Sequence, residues 1–174
     1  MIVKQAISIE DTLEQLFSYL PRVKGLSGTE TYKPTFMYGD QQQLLDFLRQ
    51  NSGKDLYPLI WLVYPFEEQH GKSSLTIDDL TLVLAVETNT TMLNDERLAE
   101  TFGKILMPLF DNIKHTFKTS NVIDVPEDIF KVTKFPKYSE NSDGKENKAT
   151  YVWDAIRIRS KIVVSSNCIK EIFF

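Results

Sequence analysis

Apolar residues recur along the chain in two rhythms, and each rhythm predicts a kind of element. Ile9, Leu13, Leu16, Phe17 and Leu20 stand at helical spacing, so Ile9 to Leu20 reads as an amphipathic helix. Ser8 is placed to accept from the amide of Asp11, and Pro21 stops or bends the helix. Asp40 followed by Gln43 marks a second start, with Leu44, Leu45, Phe47 and Leu48 behind it and Asn51-Ser52-Gly53 closing it. The stretch between them, Val23 to Asp40, keeps neither rhythm. It mixes Gly25, Gly28, Pro34 and Gly39 with Tyr32, Phe36 and Tyr38 and is expected to be an extended arm or loop over 23–39. Its aromatics need burial, either on their own domain or against a neighbouring subunit.

The rhythm then changes. Leu56 to Phe66 is apolar on both faces through Ile60, Trp61, Leu62, Val63 and Tyr64, which predicts a central strand bounded by Pro58 and Pro65. A polar turn over Glu67 to Ser74 leads into a second long strand, Leu75 to Glu87. There Leu80, Leu82, Leu84 and Val86 share one face and Thr81, Val83, Ala85 and Glu87 the other. The two strands most simply form an antiparallel hairpin. Asn94 or Asp95 is expected to cap a third helix with a stripe of Leu98, Phe102, Ile105, Leu106, Leu109, Ile113 and Phe117. Pro108 inside it is expected to kink or divide it. Val122 to Val132 is β-rich but broken. Tyr138 to Thr150 is polar, charged and without period, and is expected to be an exposed loop. Tyr151 to Val164 alternates, with Ile156, Ile158, Ile162 and Val164 inward and Arg157, Arg159 and Lys161 outward.

This order predicts an α+β fold: one domain over 1–174, built on an antiparallel β-sheet with a hairpin core and helices mainly on one face. Residues 165–174 form a C-terminal tail. No repeat is evident.

Composition narrows the function more by exclusion than by assertion. With 20 basic and 24 acidic residues the net charge is −4, which argues against a dedicated nucleic-acid binder. One cysteine, Cys168, excludes an internal disulfide, and with two histidines, His70 and His115, it gives no zinc pattern. No cofactor motif is present: there is no phosphate-binding glycine loop and no G-x-S-x-G turn. No membrane span is expected either, because Leu59 to Tyr64 and Leu80 to Val86 are only strand-length. Met1 to Ala6 lacks the basic-then-apolar pattern of a secretory signal, and an intracellular origin is the expectation. Asp78 and Asp79, adjacent on a strand, should point to opposite faces unless a bulge intervenes. Glu127 and Asp128 follow Pro126 and read as a turn or helix start. His70 reads as solvated, and His115 as a favourable cation near a helix end. Cys168 has no neighbouring base that would make it a nucleophile.

Two surface features carry the functional question. The outward triplet Arg157, Arg159 and Lys161 suits a lumen that passes DNA or an acidic partner, and equally a solvated strand face. The aromatics Tyr32, Phe36 and Tyr38, with the terminal Phe173 and Phe174, are candidate interface residues.

The succession of the helix Ser8 to Leu20, Phe36-Met37-Tyr38-Gly39-Asp40, Tyr57-Pro58-Leu59-Ile60-Trp61-Leu62, Leu82 to Asn89, Met107-Pro108-Leu109 and Trp153-Asp154-Ala155-Ile156 resembles the tail terminator, or head–tail joining, proteins of tailed bacteriophages. The likeness is one of order and pattern and covers roughly Ser8 to Val164. It implies a structural virion protein without catalytic residues. Such proteins form a ring, commonly a homohexamer, that caps the tail tube and docks it to the neck, with tube and neck or connector proteins as partners. The resemblance also implies that Arg157, Arg159 and Lys161 face the DNA channel or the tube, and that Val23 to Tyr38 is an inter-subunit arm. Extra length around Val132 to Thr150 and the apolar end depart from the pattern. They leave a head-completion or connector protein as the alternative within the class. Outside it stand a cytoplasmic adaptor and a small carboxylate-dependent enzyme, such as a nuclease using Asp78, Asp124 or Asp128.

Overall fold

The computed structural model describes residues 8–25, 30–51, 56–138 and 151–165. In chain order it runs through helix α1 (Ile9–Ser18), strands β1 (Val23–Lys24), β2 (Thr31–Tyr32) and β3 (Thr35–Asp40), helix α2 (Gln41–Gln50), and strands β4 (Leu59–Tyr64), β5 (Gln69–His70) and β6 (Ser74–Asn89). A short α3 (Asn94–Glu96), a π-helix (Arg97–Leu106) and α4 (Met107–Thr119) then follow without a break. Strand β7 (Ile123–Asp124), a 3-10 turn (Pro126–Asp128), β8 (Lys131–Phe135) and β9 (Tyr151–Ser165) complete it.

The long apolar strands form the centre of one sheet, in the order β3-β4-β6-β9, with β7 and β8 both on the far side of β9. The expected hairpin is there: β4 pairs antiparallel with β6, Leu62 opposite Leu82 and Leu59 opposite Ala85. The polar turn between them extends the pairing, because β5 adds Gln69 opposite Thr76. Strands β6 and β9 pair antiparallel from Ser74 opposite Ser165 to Asn89 opposite Tyr151.

The expected arm over 23–39 is corrected. Its first part is a small antiparallel hairpin, β1 with β2, and its second part is β3, an edge strand lying parallel to β4. A parallel partner needs a crossover, and α2 supplies it. Asp40 caps α2 as its sequence predicts: the Gln43 amide donates to the Asp40 carboxylate at 2.7 Å, and the Gln43 side chain accepts from the Asp40 amide at 2.9 Å. Gly39 is required here. Its φ is +156°, and a Cβ would stand 2.5 Å from Gln43 Oε1 and 2.8 Å from the Trp61 ring.

Helices cover both faces of the sheet unequally. On one face, Ile9, Leu13 and Phe17 of α1 and Phe102, Ile105, Leu106, Leu109, Ile113 and Phe117 of the long helix pack on Leu62, Leu80, Leu82, Leu84, Ile156, Ile158 and Ile162. On the other face α2 forms a smaller core, where Leu44, Leu45 and Leu48 meet Leu59, Trp61, Val83, Ala85, Trp153 and Ala155. Trp153 Nε1 donates to the Tyr57 hydroxyl at 3.1 Å inside it. Burial pushes the Tyr57 phenol up to about 12, a rise that the Trp153 hydrogen bond opposes and the Glu87 charge reinforces.

The third helix departs from its expected form in three ways. Its start is held by the Glu96 carboxylate, which accepts from the Leu93 amide at 2.9 Å, rather than by a side-chain cap from Asn94 or Asp95. Leu98 is exposed, and Arg97 and Thr101 take the inward positions of the first turns. The division expected at Pro108 falls between Leu106 and Met107, where π winding gives way to α. Met107 still donates five residues back, to Phe102, whereas Pro108 has no amide hydrogen to continue either pattern.

Tyr138, the first residue of the expected exposed loop, is also corrected. It is buried in the smaller core, edge-on to Phe135, and its hydroxyl accepts from the Gln41 side chain. The rest of that loop, residues 139–150, lies outside the described residues, as does the tail beyond Ser165 with Cys168, Phe173 and Phe174.

Candidate functional site

Among the described residues α2 covers only one half of its face, no helix covers the other half of that face of β6 and β9, and this is where the outward triplet stands. The alternation of β9 fixes the pattern: Ile156, Ile158 and Ile162 are buried, and Arg159 and Lys161 between them are exposed. Strand β8 adds a fourth cation, since Lys131 lies directly opposite Arg159. The Arg157 guanidinium sits 4.9 Å over the Phe135 ring and is half-buried by it.

Asp78 and Asp79 meet this stripe. The register of β6 against β9 slips between Ile77 and Leu80, so two residues are accommodated where β9 has Lys161 alone between the paired positions. Leu75 and Ile77 before the bulge and Leu80 and Leu82 after it all reach the same core, and the two carboxylates are left outside. Lys161 Nζ lies 2.6 Å from Asp78 Oδ1, and Arg159 lies 3.7 Å from Asp79. Gln69 donates to Asp78 at 2.7 Å. Hydrogen bonding and charge from Lys161 hold the Asp78 carboxyl below the usual carboxylate range. The bulge thus gives two of the four cations a local counterion, while Arg157 and Lys131 have none among the described residues.

The aromatic candidates separate. Tyr32 is half-buried and donates to Glu30. Phe36 turns into its own core, edge-on to Phe17 at 5.3 Å. Tyr38 remains 52% exposed at the sheet edge, beside Tyr64 at 5.9 Å, with the Phe66 ring tilted against Tyr64 on its other side at 5.1 Å. The Tyr64 hydroxyl donates to Glu10. Burial works against the charged form of Glu10, but bonds from Tyr64, its own backbone and Ser8 outweigh it and leave its carboxyl lowered.

The carboxylates considered for a nuclease do not form a cluster. Asp78 is engaged by Lys161, and Asp128 pairs with Lys118 in the 3-10 turn, where Glu127 and Asp128 both adopt positive φ. Among the described residues no group of three or more His, Cys, Asp or Glu is placed to hold a metal ion. His70 is exposed and within 2.9 Å of Glu68, and His115 is exposed on α4.

Sequence reasoning missed a buried ion pair. Arg97, 1% exposed, lies 2.7 Å from Asp154 Oδ1, and Asp154 is 0% exposed. The same guanidinium donates to the Thr88 hydroxyl at 2.8 Å and to the Met92 and Asn89 carbonyls. Asp154 Oδ1 also accepts from the Lys137 amide at 3.1 Å. One ion pair therefore ties the start of the π-helix, the end of β6, the start of β9 and the turn after β8. A signal was present: Asp154 shares the inward parity of Ile156 and Ile158, and a carboxylate in that phase needs a buried partner.

No helix of the described residues is long and apolar enough to cross a membrane. Compared with known protein families and with curated proteins, the chain matches no family model and no curated sequence.

Proposed function

We propose that this chain is a structural subunit of a homo-oligomeric ring that terminates a phage tail tube and joins it to the neck. The observation that carries the reading is the division of one sheet face. Half of it is sealed by α2 over Trp61 and Trp153, and half presents Lys131, Arg157, Arg159 and Lys161, with Asp78 and Asp79 as their carboxylates among the described residues. An open, net-positive face on a rigid sheet meets a polyanion through charge and not through shape, which suits DNA passing without sequence preference or an acidic partner surface. The chain order that resembles tail terminators supplies the ring, and the tube and neck proteins are its partners in the virion.

Light scattering and sedimentation with purified tail tubes test this. The expected result is a multi-subunit particle that co-sediments with tubes. A monomer at every concentration that also ignores tubes overturns the reading.

A further inference from the structure

The sheet ends in two strands of different character. Among the described residues, β3 pairs only with β4 and β8 pairs only with β9, so each leaves one side of its backbone without a strand partner. Unpaired edges recruit strands, and proteins that keep them guard them or use them.

Register links these edges. Tyr38 lies opposite Leu62, Leu62 opposite Leu82, Leu82 opposite Ile158 and Ile158 opposite Val132. One row of side chains therefore crosses the sheet from edge to edge on a single face. Its three middle members are buried, while Tyr38 at one end is 52% exposed and Val132 at the other is 36% exposed. Two of the exposed large apolar residues of the molecule are thus the two ends of the same row.

Direction and charge choose the partner. Strand β3 runs with β4, and the antiparallel steps β4 to β6, β6 to β9 and β9 to β8 leave β8 running opposite to β3. A second copy set beside the first in the same orientation brings its β8 against β3 as an antiparallel pair, the commoner kind. Like edges are disfavoured, because β8 exposes Lys131 and Lys134 and two β8 strands would set lysines against lysines. The six residues of β3 carry one charge, the negative Asp40.

We infer that the occupant of each edge is a second copy of this chain: β3 of one subunit pairs antiparallel with β8 of the next, with Tyr38 beside the neighbour's Val132, so that the sheet runs on from subunit to subunit. The join is head-to-tail, which closes into a ring when the rotation per step allows and grows a filament otherwise. It rests on the ring reading above and names the surface that builds it. Pairing covers both exposed row ends and both open backbones at once.

Cysteine pairing decides it, in a Cys168→Ser background that removes the native thiol. Tyr38→Cys and Val132→Cys are made separately, mixed under conditions that allow exchange, and oxidised, because a disulfide forms only where Cα atoms approach within about 7 Å. The expected result is several-fold more covalent dimer in the mixture than in either variant alone, and a ladder of higher species when both cysteines are on one chain. Dimer from Tyr38→Cys alone, or from Val132→Cys alone, means like edges meet and overturns the inference. Particles of multi-subunit mass with no crosslink leave the ring standing and remove this interface. A monomer at every concentration removes both.

Discussion

Strand β9 carries charge at two places, and the molecule treats them in opposite ways. Near its start, Asp154 is sealed in the interior against Arg97 and shares that guanidinium with Thr88 and two backbone carbonyls. Near its end, Arg159 and Lys161 meet Asp79 and Asp78 with about half of each side chain in water. The chemistry is the same, a cation against a carboxylate, but the surroundings set its role. In the interior neither ion can be hydrated, so each is fixed by the other. At the surface both remain solvated, and the pair adds little to stability while its charges stay available to a partner.

The largest effect should come from breaking the buried pair. Asp154→Ala strands the Arg97 charge inside the protein, and Arg97→Ala strands the carboxylate. Either should lower unfolding free energy by about 3–5 kcal/mol, read as a fall in urea midpoint at constant slope. Arg97→Met combined with Asp154→Leu should regain part of that loss, because no lone charge stays buried, although the Asn89 and Met92 carbonyls still lose a donor. If Asp154→Ala unfolds at the wild-type midpoint, the interior role assigned to the pair is wrong. Asp40→Ala is the intermediate case. It removes one uncomplicated bond to the Gln43 amide and should cost about 1 kcal/mol by the same measurement.

The contrast also shows what the chain order reveals and what it hides. Local signals were legible: Ser8 accepts from Asp11 at 3.2 Å, Asp40 and Gln43 form their capping box, and the parity of β9 separates Ile156 and Ile158 from Arg159. The antiparallel β4–β6 pairing followed from two apolar runs and a short polar connection. What stayed hidden was long-range pairing. Nothing within 35–40 announces a parallel partner, because Phe36 faces Phe17 and Ile60 only after α2 has turned the chain. The helical stripe was misassigned at Leu98 because α spacing was assumed, whereas π winding over Arg97–Leu106 bonds five residues back. Arg97 and Asp154 are 57 positions apart, so only the unfavourable phase of Asp154 hinted at a partner. The charged half-face was half legible. Its three cations were visible in β9, but Lys131 joins them through the β8 pairing, and their counterions arrive through a bulge that alternation alone does not place.

At the surface, removing a charge should change stability far less than it changes recognition. Lys161→Ala and Arg159→Ala should leave the urea midpoint within error of wild type. Reversal of Arg157, Arg159 and Lys161 to Glu should abolish co-sedimentation with tail tubes while the fold, followed by circular dichroism, is kept. Unchanged tube binding by the reversed variant would confine the stripe to solvation.

The smallest effect is the most direct test of how Asp78 and Lys161 communicate. Lys161 holds the Asp78 carboxyl low through a hydrogen bond and its charge, burial opposes this slightly, and Gln69 adds to it. A carboxyl depressed in the folded state stabilises the fold at every pH above its unfolded value of about 3.9, and that contribution disappears as pH falls through the lower folded value. The pair should therefore be constant across neutral pH and vanish only in acid. A carbon-detected NMR titration should place the Asp78 midpoint below the ordinary aspartate range in the wild type, and Lys161→Ala should move it upward. Gln69→Ala should move it in the same direction by less, since that bond is the weakest of the three lowering influences. An Asp78 midpoint that stays in place in Lys161→Ala would mean that the stripe acts as a diffuse field and not through paired contacts. Arg157 and Lys131, which have no carboxylate partner among the described residues, would then offer a partner no more free charge than Arg159 and Lys161 do.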